Sequence, residues 1–222
     1  MDWIPVFESK RTRYEEGAAR LEPGDERALV RLGNVAYAAG LALLMAGDDG
    51  AAGEWLCRAA ARWRESWDAA SPHEAWGRPI GALKASLLAR DEGAVEELAR
   101  WTLELGTATA DSPTGRYAAT LALLALGRWP EARHTAESLR ERDDFPHDVA
   151  DALATISAHD VVGYVEAVES VVTSFELRTE FLEDVEVADT ALVLHELARR
   201  LGIAQPLPGS PVLPSVSPSR PR

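Results

Sequence analysis

Two residue pairs in this chain have an interval that places metal ligands on one face of a helix. Glu131 and His134 form a Glu-x-x-His pair, and Asp144 with His147 repeats the spacing. Three residues is close to one helical turn, so both side chains of such a pair can face one ion. A working site needs two such pairs on facing helices plus further carboxylates. Asp144 and His147 instead straddle Phe145 and Pro146, where a helix begins rather than continues. Both pairs therefore read as surface polar residues. His73 and Glu74 open the string HEAWG, but the zinc-binding His-Glu-x-x-His pattern needs a second histidine at position 77, which is Gly77. No phosphate-cradling glycine loop, dinucleotide fingerprint, Gly-x-Ser-x-Gly elbow or Cys-x-x-Cys pair occurs. The sequence predicts no catalytic residue, no metal ligand and no cofactor site.

The tract from Trp63 to Lys84 is the densest in side chains that grip other molecules. It carries Trp67, His73, Trp76, Arg78 and Lys84, with Gly77, Pro79 and Gly81 in the first turns of its second helix. Helix-weakening residues at such places need a reason. One is close helix packing at Gly77 and Gly81 with Trp67 and Trp76 in the core. The other is a groove in which Trp76 and Arg78 hold a partner, tryptophan and arginine being the residues that dominate protein interfaces. An acidic stretch, with Glu183 and Asp184 at its centre, is a second candidate contact for a basic partner. Cys57, the single cysteine, follows Trp55 and Leu56 in an apolar helical pattern and reads as a buried small hydrophobe. With no second cysteine there is no intramolecular disulfide, which suits a reducing compartment.

The elements that carry these residues are helices throughout. Leu56, Ala59, Ala60, Trp63 and Trp67 follow one helical stripe, as do Val95, Leu98, Ala99 and Thr102, and Tyr164, Val168, Val171, Val172 and Phe175. Ser112 before Pro113 marks an N-cap followed by proline at the first helical position, and Trp129-Pro130 and Phe145-Pro146 mark further starts. The prediction is an all-α chain of about nine or ten helices in stacked antiparallel pairs, over residues 1–203. A proline- and serine-rich tail, 204–222, follows, packed at Leu207 and Val212 and frayed beyond.

Aligning the turns on Gly47, Arg90, Gly127 and His159 brings out an internal repeat. Apolar residues stand five positions on (Ala52, Val95, Ala132, Tyr164) and nine positions on (Leu56, Ala99, Ala136, Val168). The spacings of 43, 37 and 32 residues suit helix-pair solenoids, in which each pair buries its apolar face against its neighbours. Over Arg27 to Phe175 the chain resembles the tetratricopeptide-type repeat, most closely at GRWPEARHTA, Gly127 to Ala136. Arg90 and His159 depart from it at the turn glycine. At SWDAASPHEAWGRPIGALKA, residues 66–85, and FLEDVEVADTALVLHELA, residues 181–198, the chain also resembles the all-helical immunity proteins of bacterial polymorphic toxin systems, immunity protein family 49. That resemblance implies a non-enzymatic protein that binds and silences a toxin, and carries over no functional residue.

Charge narrows the partner. With 36 acidic against 23 basic residues the chain carries a net charge of -13, which disfavours nucleic acid and favours a basic protein or peptide. Met1 to Arg20 lacks the order of a signal peptide, and the most apolar run, Val35 to Ala46, is too short to span a bilayer, so a cytoplasmic protein without a membrane segment is expected. Three functions compete: a protein-binding helical repeat, an enzyme with a small-molecule pocket around Trp67, Trp76 and Arg78, and a structural or regulatory subunit. A broad, shallow groove lined by tryptophan and acid would favour the first, and a single deep pocket joining His73, Arg78 and a carboxylate the second.

Overall fold

The computed structural model describes residues 2–70 and 74–215. Among these residues there are ten α-helices and no strand. The helices are α1 (Ile4–Ala19), α2 (Glu26–Ala46), α3 (Asp49–Ala70), α4 (Gly77–Ala89), α5 (Glu92–Glu104), α6 (Pro113–Ala125), α7 (Trp129–Arg140), α8 (His147–Ser157), α9 (Val161–Glu176) and α10 (Asp189–Leu201). From α1 to α9 each helix packs on the one before it, giving the stacked pairs that the apolar periodicity requires.

The four turns chosen as repeat anchors share one backbone geometry. Gly47, Arg90, Gly127 and His159 all have positive φ, at 80°, 54°, 70° and 59°. At each, the anchor N–H donates to the carbonyl three residues back and the next N–H to the carbonyl five back, as in Gly47 to Leu44 and Asp48 to Leu43, or His159 to Ile156 and Asp160 to Thr155. This is the Schellman ending, which satisfies the orphan carbonyls of α2, α4, α6 and α8. The residue after the anchor caps the next helix. Asp48, Asp91 and Asp160 accept from the N–H groups of Ala51, Ala94 and Gly163, and only Arg128 breaks the pattern. His159 occupies a left-handed position that costs a side-chain-bearing residue roughly 1–2 kcal/mol, and its ring makes only an edge contact with Trp129, at 5.6 Å. His159→Gly is therefore expected to raise stability by about 0.5–1 kcal/mol after the entropy of glycine in the unfolded chain is subtracted, read as a higher urea midpoint with an unchanged slope.

Helices α2, α4, α6 and α8 form a middle layer. Val35 to Leu43 of α2, Ala82 to Leu87 of α4 and Ala118 to Ala125 of α6 are buried without interruption, whereas α3, α5, α7 and α9 bury one stripe each. The odd helices cover one side of this layer. The chain end covers the other: a short 3-10 turn, Leu182–Asp184, packs on α2, and α10 packs on α4, α6 and α8 and also meets α9. Burial on both sides accounts for the continuous apolar runs in the sequence. By length and composition α2 could cross a membrane, but 67% of its apolar window is buried in the fold. The tail returns over this third layer. The Ala188 N–H donates to the Val212 carbonyl at 2.8 Å, and Val212 and Leu213 are buried, so residues 204–215 pack as part of the domain. The sequence predicts fraying directly after Val212, but Leu213 is buried; of the rest of that stretch, 216–222 lie outside the described residues.

Candidate functional site

Hydrophobic periodicity turns Val95, Leu98, Ala99 and Thr102 of α5 inward and leaves Glu96, Glu97, Arg100 and Glu104 on the outer surface. Between this face and α3 lies a shallow, open depression of about 310 Å³, with Trp101 among its lining residues and Arg64, Glu96, Glu97, Arg100 and Glu104 around it. The Arg64 guanidinium sits 4.3 Å from the Trp101 ring centre and donates to Asp68. Arg100 pairs with Glu96 one turn away. Both local cations are thus engaged, while Glu97 and Glu104 have no ion-pair partner among the described residues. Exposed carboxylates beside an indole present a surface for a cationic side chain.

The predicted tract reaches this depression through Trp67, which contacts Trp101. Trp67 stacks on Trp76 with ring centres 5.9 Å apart and meets Trp101 edge-on at the same distance. Trp76 is buried and Trp67 half-buried, so the pair serves mainly as the core between α3, α4 and α5. Trp101 escaped the sequence reading. The signal was its place directly before the buried Thr102, at the border of an apolar stripe and an acidic face.

The other predicted contact residues are drawn into separate internal ties. Arg78 donates to the Ser66 carbonyl at 2.8 Å and to Glu26 at 3.1 Å, fastening the start of α4 to α3 and α2. Lys84 is buried, with Nζ 2.5 Å from Asp189 Oδ2 and 3.1 Å from Thr190 Oγ1. Glu183 takes Arg13 at 2.5 Å and Lys10 at 3.7 Å, while Asp184 is exposed. His73 lies outside the described residues. Among the described residues Trp76 is packed in the core, and Arg78 is engaged by the Ser66 carbonyl and Glu26.

Around Lys84 the fold buries a polar cluster. Tyr37 donates to Asp189 Oδ2 at 2.9 Å, and Lys84 reaches the same oxygen. Burial pushes the Asp189 carboxyl upward, but the Lys84 ammonium and the hydrogen bonds from Lys84, Tyr37 and the Thr190 N–H outweigh it and hold the group below its ordinary range. Burial, and then the Asp189 charge, push the phenols of Tyr37 and Tyr117 above theirs. The cluster joins α2 and α4 to the start of α10, so it fastens the chain end across the middle layer.

The remaining candidates are surface groups. Glu131 is held by Arg128 and Asp144 by Arg142, while His134 and His147 are exposed. Among the described residues no group of three or more His, Cys, Asp or Glu converges as a metal site. Cys57 corrects the sequence reading: it is exposed, because it falls just past the buried stripe of Trp55, Leu56, Ala59 and Ala60. Partial burial and nearby Asp91 raise its thiol above the usual value, which leaves little thiolate at neutral pH. No protein-family model matches the chain, and no curated protein or solved structure matches it either.

Proposed function

We propose that the chain is a non-catalytic binding protein of the helical-repeat kind whose partner is a basic protein or peptide. Neutralising a toxin, as an immunity protein does, is the most specific form of that reading. The observation that carries it is the depression between α3 and α5, shallow, open, bordered by Glu97 and Glu104 without ion-pair partners among the described residues and lined by Trp101, with Trp67 packed edge-on against that indole. Helix-pair arrays commonly bind on the inner face of the stack. In this chain that face is occupied by the segment from Phe181 to Leu201, which leaves the outer layer as the free surface. The net charge of -13 adds long-range attraction for a cationic partner.

The test is affinity purification of the chain from the cells that make it, read by mass spectrometry, with the Glu97→Lys/Glu104→Lys variant in parallel. A basic partner is expected, with recovery that falls as salt is raised. For the purified pair, the association rate of the variant should drop about tenfold or more, because reversed rim charges act chiefly on encounter. Equal binding by the variant would remove the depression from the reading. An acidic partner, or none alongside turnover of a small molecule, would remove the function itself.

A further inference from the structure

A cavity of about 610 Å³ opens where the C-terminal ends of α2 and α4 meet α10 and the returning tail. Leu44, Leu88, Leu192 and Leu213 give it apolar walls, and the tail's prolines close one side. Its volume lies within the range of small-ligand sites, which combine apolar walls with a few placed polar groups. It shares no residue with the α3–α5 depression, so the two readings stand or fall separately.

Among the polar side chains that border the cavity, Glu196, Arg90 and His195 stand together in a defined arrangement. Glu196, 3% exposed, accepts two bonds from Arg199, at 2.8 and 2.6 Å, and one from Arg90 Nε at 3.2 Å. The two arginines outnumber the carboxylate they share, leaving one positive charge on the trio. Arg90 spends only Nε on Glu196, and its two Nη groups have no acceptor among the described residues. Such a fork matches a carboxylate in shape as well as charge. Arg90 stands at a repeat position where glycine appears twice, in a left-handed conformation that a side chain makes costly. His195 lies beside it, with Nδ1 3.2 Å from the Tyr164 hydroxyl. Burial lowers the affinity of the ring for a second proton. In the tautomer in which Tyr164 donates to Nδ1, the neutral ring carries its hydrogen on Nε2 and offers a second donor. Asp49, the remaining charged residue at the border, would repel a carboxylate placed near it and so favours the Arg90 end.

We propose that this cavity binds a small apolar carboxylic acid of the medium-chain fatty acid type, with the carboxylate on Arg90 and His195 and the hydrocarbon among the leucines. The test is calorimetric titration of the full chain with octanoate, decanoate and dodecanoate below their micelle concentrations, with decylammonium as the charge control. One site per chain is expected, with the dissociation constant falling roughly fourfold for each added methylene. Decylammonium should bind at least tenfold more weakly than decanoate. Arg90→Gly removes the fork while suiting the left-handed backbone, and should weaken decanoate at least tenfold without lowering the melting temperature. Leu192→Trp, which fills the cavity, should abolish binding with the helical circular dichroism intact. If Arg90→Gly fails to fold, the decylammonium comparison and Leu192→Trp decide the matter. Absence of binding, equal affinity for the cation, no dependence on chain length, or an unaffected Leu192→Trp variant would each overturn the assignment.

Discussion

Lys84→Met is expected to cost about 3–5 kcal/mol of folding stability, the range for removing one partner of a buried ion pair. The Asp189 carboxylate would then keep the Tyr37 hydroxyl, the Thr190 N–H and the Thr190 hydroxyl, at 3.3 Å, as partners in a site closed by α2, α4 and α10. Two tests separate an electrostatic cause from lost packing. Adding Asp189→Leu to Lys84→Met removes both charges and should recover most of the loss, since an apolar replacement of a whole pair is close to neutral. The pH dependence supplies the second. In the wild type Asp189 is held below its ordinary range, so its contribution is complete above the normal aspartate value near 4 and is lost as pH falls through the lower folded value. In Lys84→Met the two lowering causes that come from the lysine are gone, burial is opposed only by the Tyr37 and Thr190 hydrogen bonds, and the carboxyl moves up from its wild-type position, so the variant loses less stability on acidification. The gap between the two proteins in chemical denaturation should therefore narrow as pH is lowered toward 3. A gap constant from pH 7 to 3 would mean that the lysine stem, not its charge, holds the helices.

That pair also marks where the sequence stopped being readable. Lys84 and Thr190 are 106 positions apart, and no local pattern says that the last helix turns back over α4. Lys84 and Arg78 therefore looked like groups offered to a partner, when each neutralises a group of the same chain. Local features were plain by contrast. The stripes of α3, α5 and α9, the Ser112-Pro113 helix start and the register of the four turns all follow from interactions within a few residues. Arg90 and His159 could be set beside Gly47 and Gly127 by the apolar residues around them, although their left-handed backbone contradicts residue preference. The unbroken apolar runs of α2 and α6 carried one more message, that these helices are covered on both sides, and what covers them lies far along the chain. Cys57 and Trp101 failed for a smaller reason: each sits at the border of a stripe, where one residue of rotation decides between core and surface.

Gly81→Ala should destabilise the fold by about 1–3 kcal/mol, the cost of forcing extra volume into a packed core. A Cβ at position 81 would stand 2.9 Å from the Trp63 six-membered ring, and one at Gly33 would stand 2.8 Å from Cδ1 and Nε1 on the other edge of the same indole. Trp63 is thus wedged between α2 and α4 and cannot retreat from one helix without meeting the other. Its Nε1 donates to Asn34 at 3.2 Å and its ring lies 5.3 Å from that of Tyr37, which further fixes its position. Gly77 provides the internal control. A Cβ there meets nothing within 4 Å, and Gly77→Ala should be neutral or mildly stabilising, as alanine is the better helix former. Combining Gly81→Ala with Trp63→Phe should cost less than the sum of the two single changes, because the smaller ring vacates the space the new methyl needs. Thermal and urea unfolding of the four variants would measure the coupling. Strict additivity would show that α4 moves away from α3 as a body, and that close approach at Gly81 is not what holds the second pair of the array against the first.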